Sequence, residues 1–568
     1  MKNPNLNLAE IFVSELARAG IREVCLAPGS RSTPLALAFA AHPDIHIYVH
    51  LDERCAAFFA MGMAAALDRP VPVLCTSGSA AANFFPAIIE ARMSQVPLLL
   101  LTADRPSELR QSGANQTIDQ IKLYGDQVLW SVEMPLPEAE IPDVVLRHVR
   151  TMAARAVALA NGLEKGPVHL NFPFRKPLEP IFEQEDPAYE PITTPCTLME
   201  RGLLQATEAQ ISHLLNVLRQ YPHGLIVCGP RCPGGDFPRA VLSLSLACGY
   251  PLLADPLSGL RFGYQGVIGG YDGFLTGGQS FDPEPQVILR FGGVPTSAAL
   301  TGYLSRIHPV ERIHIAGHGG WADDDHRTSW YLHVDPADTC GRLAACSYSP
   351  ADGWRSKIQK MERDYWISVR QALHVSSWFD GAALALVLDR LPDGTRLFVG
   401  NSLSVRNLDQ FGAPDQSFLD VFGNRGASGI DGNISTALGI AAADRNRPVV
   451  VLVGDITLYH DLNGLHALQR QGLENVTIFV FNNHGGGIFN RLPVAHFDPP
   501  FRELFLTSHD LQFEHAARLF GLDYYFVSDP AELRSVMANP FINCQPRLIE
   551  ISTDSDQDLR VYRQLTKH

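Results

Sequence analysis

The chain has 568 residues, of which 46% are hydrophobic, 19% charged and 9% aromatic. This ordinary globular composition excludes an intrinsically disordered, collagenous or membrane-spanning chain. The 46 Lys and Arg residues stand against 60 Asp and Glu residues, a formal net charge of -14. Such an acidic surface disfavours nucleic acid as a partner, and no apolar run approaches the roughly 18 residues of a spanning helix, so no membrane insertion is expected.

Ten cysteines are scattered along the chain, mostly in apolar strand-like runs. No CxxC pair occurs, and Cys228 and Cys232 lack the second pair that a zinc site would need. Scattered, unpaired cysteines are typical of reduced core thiols in a cytoplasm. At roughly 150 residues per domain, the length predicts three or four domains. We therefore expect a cytoplasmic multidomain protein, most simply an enzyme.

Short apolar strands alternate with helices in the first third of the chain. This alternation predicts right-handed βαβ units on a parallel sheet. The strands are continuous apolar runs, as expected for a sheet that is covered on both faces. Strands are predicted at residues 22–27, 46–50, 71–76 and 97–102, and helices at 33–41, 52–67 and 78–91.

Two changes of composition divide the rest of the chain. The proline-rich stretch Lys176–Arg201 is typical of an extended linker, and the polar stretch 347–365 loses the strand pattern. Strands of the last block are predicted at 397–400, 448–453, 476–481 and 547–551. We predict an α/β protein of three doubly wound parallel-sheet domains, over residues 1–180, 200–350 and 370–568.

The strongest chemical signal lies at the ends of two strands of the last block. Gly454 and Asp455 end the first strand, and Asn482 and Asn483 end the next one. The carboxyl ends of parallel strands are where open α/β sheets bind ligands. The Asp455 carboxylate, the Asn483 amide and the Gly485 carbonyl would supply oxygens to a hard divalent cation. The alternative is that these are ordinary turn residues at strand ends.

The same pattern resembles the fingerprint of thiamine-diphosphate enzymes, in which Gly-Asp is followed about two dozen residues later by Asn-Asn. Such enzymes also use a glutamate at a strand end of another domain, which bonds to N1′ of the aminopyrimidine. Glu53 follows the predicted strand 46–50 and is the candidate. Its alternative role is that of a first-turn acidic residue that complements a helix dipole.

Further motifs distinguish one family of these enzymes. They are Ala27–Leu35, His50–Phe59, Thr76–Ser79, Thr102–Pro106, Gly113–Gln116, Gly400–Ser402 with Arg406, Asn424–Gly432 and Asn482–Phe489. Together they resemble the 2-succinyl-5-enolpyruvyl-6-hydroxy-3-cyclohexene-1-carboxylate synthases of menaquinone biosynthesis. The resemblance implies pyrimidine-binding, central and diphosphate-binding domains, and the decarboxylation of 2-oxoglutarate with 1,4-addition of the succinyl carbanion to isochorismate.

Four arginines fit this pair of dicarboxylic substrates. Arg31, Arg105, Arg406 and Arg425 lie at predicted strand-to-helix junctions. Their planar guanidinium groups suit bidentate carboxylate binding better than lysine does. A single arginine of this kind is more often a solvated or salt-bridged surface residue, but four within loop-like motifs favour a functional role.

The resemblance also implies roles for individual residues. Glu53, Ser30, Asn115, Gln116 and Ser402 match positions that bond to cofactor, substrate or intermediate. Ile430 matches the apolar prop of the bent cofactor, unless it is an ordinary core residue. The implied cofactor site consists of Glu53, Ser402, Ile430, Gly454, Asp455, Ile456, Asn483, Gly485, Ile488 and Phe489. Mg²⁺ or Mn²⁺ would bind Asp455, Asn483 and Gly485.

The family further implies a homodimer or a dimer of dimers, in which Glu53 and Asp455 of one site come from different subunits. One departure is Ala298, where some members carry a lysine. Two other interpretations stay open. One is a different thiamine-diphosphate enzyme, such as a 2-oxoacid decarboxylase or an acetohydroxyacid synthase-like carboligase. The other is a non-catalytic binding protein on the same scaffold, against which the presence of Glu53 and Asp455 speaks.

Overall fold

The computed structural model describes residues 3–180, 197–318, 320–375, 378–414, 417–539, 541–542 and 545–565. Within these ranges, eighteen strands form three six-stranded sheets, and neighbouring strands in every sheet are parallel. Helices connect the strands. The predicted α/β class with three parallel sheets is therefore confirmed. The centre of the predicted proline-rich linker, residues 181–196, lies outside the described residues.

The first sheet has the strand order β2-β1-β3-β4-β6-β5. The chain leaves β1 on one side for β2 and returns to β3 on the other side, so the loops after β1 and β3 flank a topological switch point. Strands β3, β4 and β6 are buried along their whole length, which explains their continuous apolar sequences. The strands are β1 Glu23–Leu26, β2 His46–Val49, β3 Val71–Cys75, β4 Leu98–Asp104, β5 Trp130–Glu133 and β6 Pro167–Pro173, and the helices are α1 Pro4–Arg18, α2 Thr33–Ala41, α3 Glu53–Leu67, α4 Ser79–Asn83, α5 Phe85–Ser94 and α6 Asp143–Ala160.

The second sheet has the order β12-β11-β10-β7-β8-β9. Its switch point lies between β7 and β10, because β8 and β9 extend to one side before the chain crosses to the other. The strands are β7 Gly224–Cys228, β8 Leu252–Ala254, β9 Val267–Ile268, β10 Val287–Phe291, β11 Glu311–Ala316 and β12 Trp330–His333, and the helices are α7 Glu208–Gln220, α8 Phe237–Cys248, α9 Tyr271–Thr276, α10 Ala298–Arg306 and α11 Pro336–Ala344.

The third sheet repeats the topology of the first, with the order β14-β13-β15-β16-β18-β17. Its switch point lies between β13 and β15 for the same reason. The strands are β13 Thr395–Val399, β14 Leu419–Phe422, β15 Val449–Gly454, β16 Val476–Asn482, β17 Asp523–Val527 and β18 Arg547–Ser552, and the helices are α12 Trp354–Val375, α13 Asp380–Leu388, α14 Leu403–Phe411, α15 Asn433–Ala443, α16 Asp455–His460, α17 His466–Gln471, α18 Phe513–Leu519, α19 Pro530–Val536 and α20 Ser555–Leu565.

By compactness the chain divides into two units. The first unit consists of Met1–Arg201, Asn424–Arg445 and Tyr459–Glu474, and the second unit contains the rest. Within the first unit, α15 packs closely on α3. A Cβ atom on Gly439 would lie 2.0 Å from the carbonyl oxygen of Phe59, so only glycine permits this helix contact. The predicted boundaries of three domains stay a prediction.

In the second unit, one apolar cluster includes residues of both the second and the third sheet, such as Leu225 on β7 and Ile549 on β18. Helix α12 contributes Trp354, Ile358 and Trp366 to this cluster. The burial of these side chains explains why a stretch with a polar composition forms a long helix. Within the described ranges, no helix combines the length and the apolar composition that crossing a membrane requires.

Candidate active site

The second unit brings Asp455 and Gly485 together at the carboxyl edge of the third sheet. Strands β15 and β16 pair in register up to Gly454 and Phe481, so the loops that follow them are neighbours. The Asp455 carboxylate accepts hydrogen bonds from the N–H groups of Ile456 at 2.7 Å and Gly485 at 3.0 Å. Burial raises the pKa of Asp455 above its ordinary value. A cation beside this carboxylate would offset the cost of burying its charge.

Asn483 directly follows β16, and its side-chain contacts differ from those of its neighbour Asn482. The Asn482 amide donates to Glu550 at 2.6 Å, and its oxygen accepts the N–H of His484 at 3.0 Å. The Asn483 side chain instead lies near Asp380, where burial raises the pKa of the carboxyl and Asn483 partly opposes that shift. The Asn483 side-chain oxygen is buried without a hydrogen-bond partner among the described residues. Such an orphaned oxygen fits a metal ligand.

The loop after β16 requires glycine at its centre. Gly485 has φ +150°, and a Cβ atom there would lie 2.3 Å from the carbonyl oxygen of Leu506. Ile488 and Phe489 follow in a short 3-10 turn and are half-buried, with the Phe489 ring edge-on to Phe505. The loop therefore combines a backbone that can approach a ligand closely with two apolar side chains.

Ser402 directly precedes α14 and has a strained backbone. Its φ of 68° and ψ of -126° are uncommon for a residue with a side chain. The Arg406 guanidinium, one turn later, donates to the Ser402 carbonyl at 2.6 Å, while its side chain is exposed. Strain of this kind concentrates at functional sites. The loop follows β13, so it lies at the switch point of the third sheet.

In the first unit, Arg105 lies close enough to Arg31 that its charge affects the Arg31 guanidinium. Burial and then the charge of Arg105 lower the pKa of Arg31, which Asp104 partly opposes. Arg31 donates to the Phe174 carbonyl at 2.7 Å through Nη1. The Nε of Arg31 and the Nη1 of Arg105 are buried and have no hydrogen-bond partner among the described residues. Two like charges with unused donors are an arrangement that an anionic ligand would stabilise.

Polar residues surround these arginines at the same sheet edge. Ser30 begins a 3-10 turn after β1, and the Arg31 N–H donates to the Thr76 hydroxyl at 3.2 Å after β3. Gln116 donates to the Ser77 carbonyl at 2.9 Å from a backbone with φ 55°, and its neighbour Asn115 is exposed. The loops that carry Ser30 and Gln116 thus meet around the switch point of the first sheet.

Glu53 is the first residue of α3, and Asp52 caps that helix. The Asp52 carboxylate accepts the N–H groups of Arg54 at 2.9 Å and Cys55 at 3.3 Å. Within the described part of the chain, Glu53 makes no side-chain hydrogen bond to another predicted site residue. Because Asp52 already caps the helix, its sequence neighbour Glu53 is not needed for that task.

The remaining predicted residues are distributed between the two units. Arg425 and Ile430 are half-buried on the loop before α15, in the first unit. Gly454 and Ile456 flank Asp455 in the second unit. Ala298 is the exposed first residue of α10, after the capping residue Ser297. The roles assigned to the individual site residues stay predictions.

Several polar residues outside the predicted set lie beside it. Asp380 lies near Asn483 and is hydrogen-bonded to Thr553 and Asp558, and His509 lies 3.3 Å from the Asp455 carboxylate. None of these has a motif around it. Only their partners, distant in sequence, distinguish them from surface residues.

Two stretches of the chain match families of thiamine-diphosphate enzymes. Residues 6–123 match the thiamine pyrophosphate enzyme, N-terminal TPP binding domain, and residues 405–551 match the corresponding C-terminal TPP binding domain. The matched stretches contain the switch-point loops after β1 and β3 and the loops that carry Asp455 and Asn483. The fold, these loops and the two matches define a thiamine-diphosphate-dependent enzyme.

Curated relatives narrow the class to one family. Relatives from Roseiflexus castenholzii, Haloarcula marismortui and Geobacillus thermodenitrificans are 52%, 43% and 41% identical. The alignments cover 98%, 100% and 97% of this chain and 97%, 98% and 94% of the relatives. Each is named 2-succinyl-5-enolpyruvyl-6-hydroxy-3-cyclohexene-1-carboxylate synthase. This chain belongs to that synthase family, which confirms the resemblance and does not favour the alternative thiamine-diphosphate enzymes.

Proposed function

We propose that the protein is a transferase that decarboxylates 2-oxoglutarate and adds the succinyl group to isochorismate in a 1,4 sense. The products are carbon dioxide and 2-succinyl-5-enolpyruvyl-6-hydroxy-3-cyclohexene-1-carboxylate, an intermediate of menaquinone biosynthesis. The observation that carries this proposal is the pair Arg31 and Arg105, with buried N–H donors that no described residue uses. In a chain of net charge -14, such a local cationic site suits dicarboxylic substrates.

The cofactor is proposed to bind with a divalent cation, Mg²⁺ or Mn²⁺. The buried Asp455 carboxylate, the orphaned Asn483 oxygen and the Gly485 carbonyl form a donor set of the hard oxygen type that these ions prefer. When bound, thiamine diphosphate supplies the carbon nucleophile and the electron sink for loss of carbon dioxide. Gly454 and Ile456 would border the diphosphate beside the cation.

Glu53 is proposed to hold a proton at N1′ of the aminopyrimidine. Its position beside a separate capping residue, Asp52, leaves its carboxyl available for that bond. Ile430, Ile488 and Phe489 would enclose the rings of the cofactor with apolar side chains. Exclusion of water by these side chains would strengthen the hydrogen bond of Glu53.

The substrate carboxylates are proposed to bind Arg31, Arg105, Arg406 and Arg425. Ser30, Asn115, Gln116 and Ser402 would orient the reacting groups through hydrogen bonds. The uncommon backbone conformations of Gln116 and Ser402 support this proposal, because strained residues concentrate where geometry serves function.

The active form is proposed to be a homodimer or a dimer of dimers, with Glu53 of one subunit and Asp455 of the other at one cofactor. Residues 1–180 would form the pyrimidine-binding domain, 200–350 the central domain and 370–568 the diphosphate-binding domain. A cytoplasmic location is supported by the cysteines, since all eight in the described ranges are free. If light scattering at the assay concentration shows a monomer and this monomer is fully active, the proposed shared site is wrong.

Mass spectrometry of the products tests the proposed reaction. The enzyme is incubated with 2-oxoglutarate, isochorismate, thiamine diphosphate and magnesium, and with each substrate omitted in turn. We expect the ligated product only when both substrates are present. If succinic semialdehyde is the sole product, the enzyme is a decarboxylase and the proposed synthase activity is wrong.

A further inference from the structure

A buried carboxylate, Glu90 on α5, is bonded to a loop more than three hundred residues later in the chain. Glu90 is 3% exposed. Its Oε1 accepts the hydroxyl of Ser94 at 2.5 Å and the N–H of Gly426 at 2.6 Å, and its Oε2 accepts the N–H groups of Ala427 at 2.8 Å and Ser428 at 3.2 Å. Three consecutive backbone donors thus converge on one anion, the arrangement known as a nest.

The loop that receives this carboxylate, residues 424–432, contains no helix or strand of its own. Its two ends are fixed by side chains, since Asn424 donates to Thr436 at 3.1 Å and Asn433 donates to the carbonyls of Gly429 and Asp431 at 3.1 and 3.0 Å. Glu90 fixes the middle. Hydrogen bonds from N–H groups to an ionised, buried carboxylate are stronger than those between neutral groups.

The residues held by Glu90 lie between two predicted site residues. Arg425 immediately precedes the nest, and Ile430 follows it by two residues. A loop without regular structure transmits a shift at residues 426–428 directly to both neighbours. The left-handed backbone of Ser428, with φ 62°, also depends on an external anchor, because a serine does not favour this conformation by itself.

We propose that Glu90 is a positioning residue, which holds the 424–432 loop so that Ile430 supports the cofactor and Arg425 reaches the substrate carboxylate. The part of the inference that concerns the substrate rests on the proposed function. The part that concerns the cofactor rests only on the thiamine-diphosphate class. In this role Glu90 acts through the backbone amides of residues 426–428.

The test compares Glu90→Gln with Glu15→Gln. Glutamine keeps the size of Glu90, but one of its two terminal atoms is a donor and cannot accept an N–H. Glu15 is the matched control, since it is a buried carboxylate of the same unit, paired with Arg18 and Arg150 at 3.2 and 2.8 Å. Local hydrogen exchange of the full-length protein reports the loop, and tryptophan fluorescence with thiamine diphosphate and magnesium reports the cofactor dissociation constant.

In Glu90→Gln we expect the amides of residues 426–428 to exchange at least about tenfold faster and the dissociation constant to rise about tenfold, since a hydrogen bond to a charged group is lost. The KM for 2-oxoglutarate should rise more than kcat falls. Glu15→Gln should change none of these, although it too loses stability. The same changes in Glu15→Gln, or wild-type cofactor binding in Glu90→Gln, would overturn the proposal.

A second variant keeps the test decisive if Glu90→Gln does not fold. Ser94→Ala removes the hydroxyl that fixes Oε1 of Glu90 and leaves the carboxylate in place. It should shift exchange and cofactor affinity in the same direction by a smaller factor, and no shift would refute the anchoring role. The cofactor measurement contains neither substrate, so its result does not depend on the proposed reaction. If the wild-type enzyme forms no ligated product, the proposed function is wrong, and the test of Glu90 is unaffected.

Discussion

Replacement of Arg105 by glutamine separates substrate binding from stability. The Nη1 of Arg105 is buried without a hydrogen-bond partner in the described part of the chain, and burial lowers the pKa of this arginine. The positive charge of Arg105 is therefore unfavourable for the stability of the folded protein, although the proposed substrate carboxylate would bind to that charge. Asp104, the nearest carboxylate, keeps Arg110 at 3.1 Å and Asn171 at 2.9 Å as partners after the change. We expect Arg105→Gln to fold with unchanged or higher thermal stability.

The loss of substrate binding follows from the missing hydrogen bonds. A hydrogen bond to a charged group contributes about 1.5–3 kcal/mol, and about 1.4 kcal/mol corresponds to a factor of ten. Because Arg31 remains, we expect the KM for 2-oxoglutarate to rise about 10–100-fold in Arg105→Gln. The KM for oxoacids with a single carboxylate should rise less than the KM for 2-oxoglutarate. The preference of the enzyme for the dicarboxylate should therefore weaken.

Steady-state kinetics and thermal unfolding of the same preparations check this prediction. Arg92→Gln is the control, since Arg92 pairs with Glu164 at 2.6 Å on the surface of the same unit, where an ion pair contributes little. The control should keep the wild-type KM. An unchanged KM in Arg105→Gln, or a loss of thermal stability beyond that of the control, would refute the assignment of Arg105 to a substrate site.

Three further substitutions test other parts of the structure. Asp455→Ala removes a charged ligand, so calorimetry should give a thiamine diphosphate affinity at least about tenfold weaker; unchanged binding would mean that the metal site is wrong. Glu53→Gln should slow hydrogen–deuterium exchange at C2 of the bound cofactor by about 10²–10⁴-fold, as for a lost acid–base group; exchange at the wild-type rate would reduce Glu53 to a helix-start residue. Burial raises the pKa of Asp461 to about 6, so the folded protein retains a proton that the unfolded chain releases near pH ~4. The free energy of unfolding should therefore fall by up to about 3 kcal/mol as the pH rises from about 4 to about 6. Asp461→Asn should lack this dependence in denaturant titrations, and an identical pH profile for both proteins would contradict it.

The sheets were predictable because each strand is a continuous apolar run between helices. Residues 448–453 and 476–481 were predicted as strands, and the structure has strands at Val449–Gly454 and Val476–Asn482. Ligand-binding edges follow from such strands, since polar residues at their carboxyl ends have a fixed place in parallel sheets. For this reason the sequence alone predicts that Asp455 and Gly485 are neighbours.

Other features of the structure were not predicted from the sequence. The stretch 347–365 has a polar composition without a strand pattern, yet α12 Trp354–Val375 occupies much of it. Its buried residues are separated by charged ones, and a reading of composition alone hides that helical spacing. Glu90 was missed for a different reason. Its partners are backbone N–H groups 336 to 338 residues away, and every residue type except proline carries such a group.

Isotope tracing tests the central claim most directly. The 2-oxoglutarate is labelled in the carboxyl carbon next to the ketone and supplied together with isochorismate, thiamine diphosphate and magnesium. We predict that the label leaves as carbon dioxide in a one-to-one ratio with an unlabelled ligated product, and that omission of isochorismate abolishes this product. Release of labelled carbon dioxide at the same rate with no ligated product in the complete mixture would contradict the assignment of this chain as a synthase.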